Sequence, residues 1–553
     1  MSAKASTLSS LRLQIIWTRL IALVEEQART LLRTAFSPIV RESGDLSAGI
    51  FDPSGRMLAQ AVTGTPGLIN TLARSVSAFL EEYPSQTMRE GDVYVTNDPW
   101  HGTGHLHDYV VVTPAFLRGK LIALFACSGH MTDVGGIGLT PEGSDIYMEG
   151  VAIPIMKLVD RGTVNETLIR IATANSRMPG ELEGDVYSLI AANEAATRRL
   201  RELLEEVDLP DIQPAADYII DSSRRAVIQR IRSLPRGSAT QRMTIDGFEA
   251  PLELVARLTI AGDHVEIDWT GTSPASKFGI NVPFNYGAAY VSYALACAIA
   301  PDVPNNEGSL SPYRMRVPEG CILNAKRPQP LSCRHIVGGL LPDVALGCFD
   351  LLVPGRVPAE SASSLWTLTI RGGPAEQSFM ISIVTAGGTG ARPALDGLSA
   401  TAFPSVVRGT PVEIVEEGTP LVFWRRELRQ GSGGAGKFRG GLGQEMEIGS
   451  RDGHPFTLYA AFDRIDHPAR GRNSGQSGAP GELCRSDGER LPGKGAHRIE
   501  PQQRLIVRSP GGGGYGTPET RAAAARHFDR ARGYTREEHD TISTRGGANE
   551  STI

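Results

Sequence analysis

Two hydrophobic periods run along the chain, and each predicts its elements. Over 9–35, Ile15, Ile16, Leu20, Leu23, Val24, Ala28 and Leu31 recur at helical spacing. Ser9 or Ser10 can cap that helix, and Pro38 stops it. Residues 46–59 read as a strand, a tight Asp52-Pro53-Ser54-Gly55 turn and a second strand. Leu68, Leu72, Val76, Phe79 and Leu80 predict a two-faced helix over 68–82. A short strand at 91–96 precedes two apolar strands, 109–113 and 121–126. Residues 157–230 read as mostly helical, with a long helix over 181–207, and a boundary falls near 232–240. From 241 the texture is β. Residues 252–260 and 264–269 alternate around an Ala261-Gly262-Asp263 turn, and 286–300 is an alanine-rich helix. Pro301 to Gly308 is a stiff loop, and short strands alternate with glycine-rich turns from 366 to 460. The pattern implies a multi-domain α+β protein, with a mixed α/β part, a helical segment and a β-rich C-terminal half. The expected domains are 1–232, 241–365 and 366–518, followed by a polar, loose tail, 519–553, with one short helix around 520–532.

Composition narrows the class. A length of 553 residues exceeds what one core serves, and 62 glycines with 36 prolines call for many turns. With 56 basic and 61 acidic side chains the net charge is −5, which gives no general pull towards nucleic acid or an anionic membrane. The six cysteines are scattered without a CxxC pair, against a disulfide framework or a zinc ribbon. The first apolar run is broken by Arg12, Gln14 and Arg19, so no signal peptide is expected, and no apolar run approaches bilayer-spanning length. A cytoplasmic enzyme or enzyme subunit is the expectation.

The chemistry gathers between 97 and 136. Four of the eleven histidines, His101, His105, His107 and His130, fall there, with Asp98, Asp108 and Asp133 among them. Imidazoles and carboxylates on two loops suit a divalent metal. Strand alternation puts His105 and His107 on one face and Asp108 on the other. All three serve one ion only if the backbone is irregular near 105, which Gly102 and Gly104 permit. Asp45 stands before a strand among small residues, where an Asx turn would also explain it. Arg334 and His335, ahead of Gly338 and Gly339, form a basic pair able to bind an anion or pair with an acid. The glycine runs at 431–437 and 511–516 lack the Lys-Ser/Thr of a phosphate loop and predict turns and close backbone packing.

Several segments, in order from about 10 to 518, resemble the hydantoinase B/oxoprolinase family. They are Thr34-Ala35-Phe36-Ser37-Pro38 through Asp45-Leu46-Ser47, Asn97-Asp98-Pro99 through His105 and Asp108, and Gly129-His130 with Asp133. Further along come Asn175-Ser176-Arg177 with Glu183-Gly184-Asp185, Pro304 to Gly308, Ser432 to Gly436, Arg439-Gly440-Gly441 and Pro510 to Gly516. The resemblance implies the B-type subunit of an ATP-dependent enzyme that hydrolyses a cyclic amide or imide. ATP with magnesium is then used by an A-type partner, and this chain holds a divalent metal, manganese or zinc. Carried over residue by residue, the resemblance gives Asp45, His105 and His130 as ligands. It makes Asp108 and Asp133 further ligands or partners of the histidines, either of them able to act as general base. The family also holds ketone carboxylase subunits, which are the alternative, with a non-catalytic supporting chain behind them. His107 stands where the family commonly has proline, Met131 where a second histidine is frequent, and Leu68 where histidine is frequent, so His101 and His107 stay unassigned.

Overall fold

The computed structural model describes residues 9–535 apart from 363, 364, 375 and 377. Helix α1 (Ser10–Thr34) starts where expected, with the Ser9 side chain accepting from the Arg12 amide. Short α2 (Pro38–Arg41) follows. A seven-stranded antiparallel sheet comes next, built from β1 (Leu46–Phe51), β2 (Met57–Gln60), β3 (Val93–Thr96), β4 (Asp108–Leu117), β5 (Lys120–His130), β6 (Met156–Asp160) and β7 (Thr163–Val164). Its order is β2-β1-β5-β4-β3-β6-β7. The turn before β2 is closed by Asp52, which accepts from the Ser54 and Arg56 amides at 2.9 and 3.0 Å. Both faces are covered, so β4 is buried along its whole length. Helix α3 (Pro66–Glu82) packs Leu72, Val76 and Phe79 on Leu124 and Ala126 of β5. On the other face α1 and α5 (Pro179–Glu206) cover Phe125, with α4 (Glu166–Ala174) and α6 (Gln213–Arg232) alongside.

Residues 157–164, within a stretch expected to be mostly helical, instead belong with Met156 to the β6–β7 edge hairpin, turned at Gly162, where φ is +86°. A run this short pairs with β3 because the sheet offers an open edge, whereas local periodicity carries too few residues to decide. The expected boundary at 232–240 is also partly strand. Strand β8 (Gly237–Ile245) pairs along its full length with β9 (Leu252–Ile260). With β10 (Val265–Asp268) and β11 (Tyr313–Arg316) these form a second sheet, ordered β11-β10-β9-β8. Helices α7 (Phe284–Ile299) and α10 (Leu341–Leu352) fill its core, and α8 (Glu307–Leu310) and α9 (His335–Gly338) are single turns. The stretch His335–Leu352 is long and apolar enough to cross a membrane, contrary to the sequence reading, and is 89% buried within the protein.

Strands β12 (Trp366–Gly372), β13 (Phe379–Thr385), β16 (Phe456–Ala461) and β18 (Lys494–Ile499) make a third sheet. It packs around Trp366, Phe456 and Phe462 against a fourth, made of β14 (Leu421–Leu428), β15 (Gln444–Ser450), β17 (Glu482–Arg485) and β19 (Leu505–Arg508). Helix α11 (Val412–Gly418) lies beside them. The glycine runs bring backbone against backbone. The Gly434 amide donates to Gly512 O at 2.9 Å, and a Cβ on Gly440 would stand 1.9 Å from that same oxygen. The part of the expected loose tail within the described residues is docked. Helix α12 (Ala523–Ala531) buries Asp529, whose carboxylate pairs with Arg521 at 2.6 Å and Arg439 at 3.4 Å. Residues 536–553 lie outside the described ones. The α+β class is as expected.

Candidate metal centre

The register of three strands assembles the site. In the β4–β5 pairing Asp108 stands opposite His130, and in the β1–β5 pairing Leu46 stands opposite Gly129. The start of β4, the end of β5 and Asp45 ahead of β1 therefore meet at one edge. The chain enters β4 through a tight turn, in which the Asp108 amide donates to His105 O at 3.4 Å after Gly104 at φ +105°. That irregularity defeats the alternation argument. His105, His107 and His130 cluster with ring centroids 5.0 to 5.4 Å apart. Asn97 pins the loop by donating to Leu106 O at 2.8 Å and accepting from the Ile153 amide at 2.6 Å.

Ligand atoms of His105, Asp108 and His130 all lie within 4.8 Å of one another, and the three residues are almost wholly buried. Asp108 Oδ1 is 2.8 Å from His105 Nε2 and 3.1 Å from His130 Nδ1. Its Oδ2 accepts from Thr103 Oγ1 at 2.7 Å and from Arg334 Nη2 at 2.5 Å. Arg334 also donates to Thr103 O and stacks 4.1 Å over the Tyr286 ring. Asp45 Oδ2 lies 3.8 Å from His130 Nδ1, and Asp45 Oδ1 accepts from Thr65 at 2.9 Å. Among the described residues, Asp133 pairs with Arg177 and not with this cluster. It accepts from the Arg177 backbone and guanidinium and from the Gly135 amide, and so closes the turn after β5. His101 is half exposed beside Asp98 and apart from the cluster. Sequence reasoning left Arg334 among open alternatives and passed over Tyr286 and Thr103. The basic pair at 334–335 was the signal, and its acid proves to be Asp108, 226 positions away.

Protonation is constrained. Burial, reinforced by Arg334, lowers His105 from 6.5 to about 4. Burial pushes the Asp108 carboxyl up, but His105 and Arg334 outweigh it and hold it well below the carboxylate range. Burial raises Asp45, and burial with the neighbouring imidazoles holds His107 well below 6.5. His105 Nδ1 lies 2.9 Å from Ser332 O, an acceptor only, so Nδ1 carries the proton. Neutral His105 then turns its Nε2 lone pair towards a carboxylate oxygen 2.8 Å away. Two such atoms repel unless a cation lies between them. His130 Nε2 and both His107 nitrogens are buried without any partner. This donor set of imidazole and carboxylate fits a divalent ion.

A family model for hydantoinase B/oxoprolinase matches residues 9–518. The chain is 31% identical over 545 residues to 5-oxoprolinase 1 of Arabidopsis thaliana, across 92% of this chain and 42% of that one. It is 28% identical over 553 residues to caprolactamase subunit beta of Pseudomonas jessenii, across 94% and 93% of the two chains. The crystal structure of the ATP-dependent caprolactamase from that organism superposes with a TM-score of 0.88 at 25% identity, across 96% and 95%. An acetone carboxylase structure shares the fold, with a TM-score of 0.80 at 20% identity, across 95% and 78%. The chain spans less than half the length of several curated relatives it matches. The family match runs through nearly the whole chain, and the chain belongs to the hydantoinase B/oxoprolinase family.

Proposed function

We propose that this chain is the metal-binding B-type subunit of an ATP-dependent cyclic-amide hydrolase, working with an A-type partner that phosphorylates the amide oxygen. The observation that carries the reading is the lone pair of His105 facing the Asp108 carboxylate at 2.8 Å, both buried and neither able to take up a proton readily. His105, Asp108 and His130 would hold the ion, with Asp45 completing the set. A divalent cation there would lower the pKa of water and so supply a nucleophile for the activated carbon.

The chain's own groups do the rest. Ser332 O fixes the His105 tautomer and ring plane. Arg334 and Thr103 occupy the outer oxygen of Asp108 and keep it ionised. With those contacts Asp108 serves as a ligand and has little capacity to accept a proton as general base. Asp133 acts as a positioning residue, holding through Arg177 the turn that follows His130. Burial of the cluster excludes bulk water, which strengthens each of these electrostatic contacts.

The test is metal analysis of the purified chain, followed by assay with its partner. About one manganese or zinc per chain is expected, as in sites of this donor type. His105→Ala and His130→Ala should lose the metal and the ATP-dependent opening of 5-oxoproline, hydantoin or ε-caprolactam. A metal-free chain after metal-replete expression, or full activity of His130→Ala, would sink the reading. Carboxylation of acetone in place of ring opening would move the assignment to the carboxylases.

A further inference from the structure

The cluster faces an inner cavity of about 40 Å³. A separate cavity, of about 520 Å³, falls within the roughly 300–1,000 Å³ of pockets that take small molecules. Helices α3 and α7, the single turn α8 and strand β11 wall it. Arg74 enters from α3, its guanidinium 4.7 Å over the Phe284 ring, and Arg314 enters from β11. Glu307, the first residue of α8, is the acid in the wall. Among the described residues, none of these three side chains forms an ion pair or a hydrogen bond.

Burial lowers the Arg74 guanidinium and raises the Glu307 carboxyl, so both charges are short of hydration as well as of a close counter-ion. Asn70, in the same wall, is 7% exposed, and its Oδ1 is buried without a partner, as is Tyr313 Oη. Orphaned polar atoms are uncommon in a folded chain, and two in one wall point to a partner supplied from the cavity. Ala288, Val291, Leu310 and Met315 add apolar surface. The wall also holds the loop of the cluster. Asn285, which lines the cavity, donates to Pro99 O at 3.1 Å and Gly102 O at 2.7 Å. Ser75, beside Arg74, donates to Gly102 O at 3.4 Å, and His105 stands three positions further on. Movement of α3 against α7 is therefore passed to a residue of the cluster.

We propose that this cavity is a feedback site for a ring-opened product, an amino acid that sets its carboxylate between Arg74 and Arg314 and its ammonium against Glu307. The methylenes of that acid lie on the apolar lining. Glu307 tells against inorganic phosphate, which it would repel. The proposal rests on the ring-opening activity above, since hydrolysis of a lactam C–N bond leaves a carboxylate and an ammonium. The first experiment is isothermal titration calorimetry of the full-length chain as purified. The probes are 6-aminohexanoate and glutamate, their analogues without the ammonium (hexanoate and glutarate), and inorganic phosphate. The second follows turnover in the complex with the A-type partner, using the lactam that the complex opens and its own ring-opened product.

At least one of the two amino acids should saturate the chain, and bind severalfold more weakly to Arg74→Met and to Arg314→Met. Its analogue without the ammonium should bind severalfold more weakly, and Glu307→Gln should remove that preference. The product should inhibit turnover, excess lactam should not relieve the inhibition, and Arg314→Met should weaken it severalfold against that variant's own uninhibited rate. No heat with either amino acid, phosphate bound as tightly, or binding unchanged in both arginine variants overturns the site. Inhibition that excess lactam abolishes places the product at the cluster and overturns the feedback. A complex that opens no ring fails the preceding reading alone, and the titrations of the chain still decide the site.

Discussion

Arg334 and Asp108 form a buried ion pair, and the worth of such a pair lies in what its loss leaves behind. Arg334→Met strands a carboxylate that the fold keeps ionised, at a cost of roughly 3–5 kcal/mol. Bound metal supplies replacement charge, so the drop in Tm should be smaller for the loaded protein than for the metal-free one. Calorimetry on both forms checks this, and equal drops would deny that the ion sits at Asp108. Glu149 gives a pH signature. Its Oε1 accepts from the Leu331 and Ser332 amides, Oε2 has no partner, and burial raises the carboxyl from 4.5 to about 7. The folded state therefore binds the extra proton between those values, and stability falls as pH rises through that window. Glu149→Gln stays neutral and keeps an oxygen for both amides. Its Tm should vary less from about pH 5 to pH 7 and exceed that of the parent protein above pH 7. Legibility at this scale was partial. His105 and His130 stood out by residue type and spacing. His107 was set aside because proline is common at that position in the family, alongside a strand-alternation rule that the turn at 105–108 suspends, and Arg334 was too far along the chain for any local pattern to join it to Asp108.

At the scale of elements, periodicity sufficed wherever a segment buried one face. Helices α1, α3 and α5 and the β9–β10 hairpin fall within a few residues of their expected places. It failed for β6 and β7, whose structure is set by the edge of β3, and for the tail, where ion pairs to Asp396 and Asp529 dock residues that read as merely polar. The glycine runs were legible as close packing, though not as contacts between runs some seventy positions apart. These contacts make a prediction. Gly440→Ala drives a methyl group into Gly512 O, where only backbone can yield, and should cost about 3 kcal/mol or more. Gly119→Ala, at φ +76° in open space, should cost only about 1–2 kcal/mol for its backbone conformation. Denaturant melts of the two variants compare them, and equal costs would show that the glycines serve conformation rather than contact.

At the scale of the molecule, the inner cavity is a meeting point. Asp45 and His130 reach it from the first sheet, Tyr286 and Arg334 from helices and loops around the second, and Thr367 and Val384 from the third. Ser43 adds a tie, accepting from the Arg408 amide at 2.8 Å and meeting the Thr410 hydroxyl at 3.2 Å. A composite wall makes ligand occupancy a thermodynamic property of the whole chain. An ion that binds only the assembled wall adds about 2.7 kcal/mol of stability at a hundred times its Kd. That gain should be shared by segments hundreds of residues apart in sequence. Hydrogen exchange should then slow together in β1, β5, α7 and β13 as the metal saturates. Slowing confined to β4 and β5 would mean the wall opens piecemeal. The centre would thus report on the completeness of folding, since a chain with any one sheet misassembled could not retain its ion.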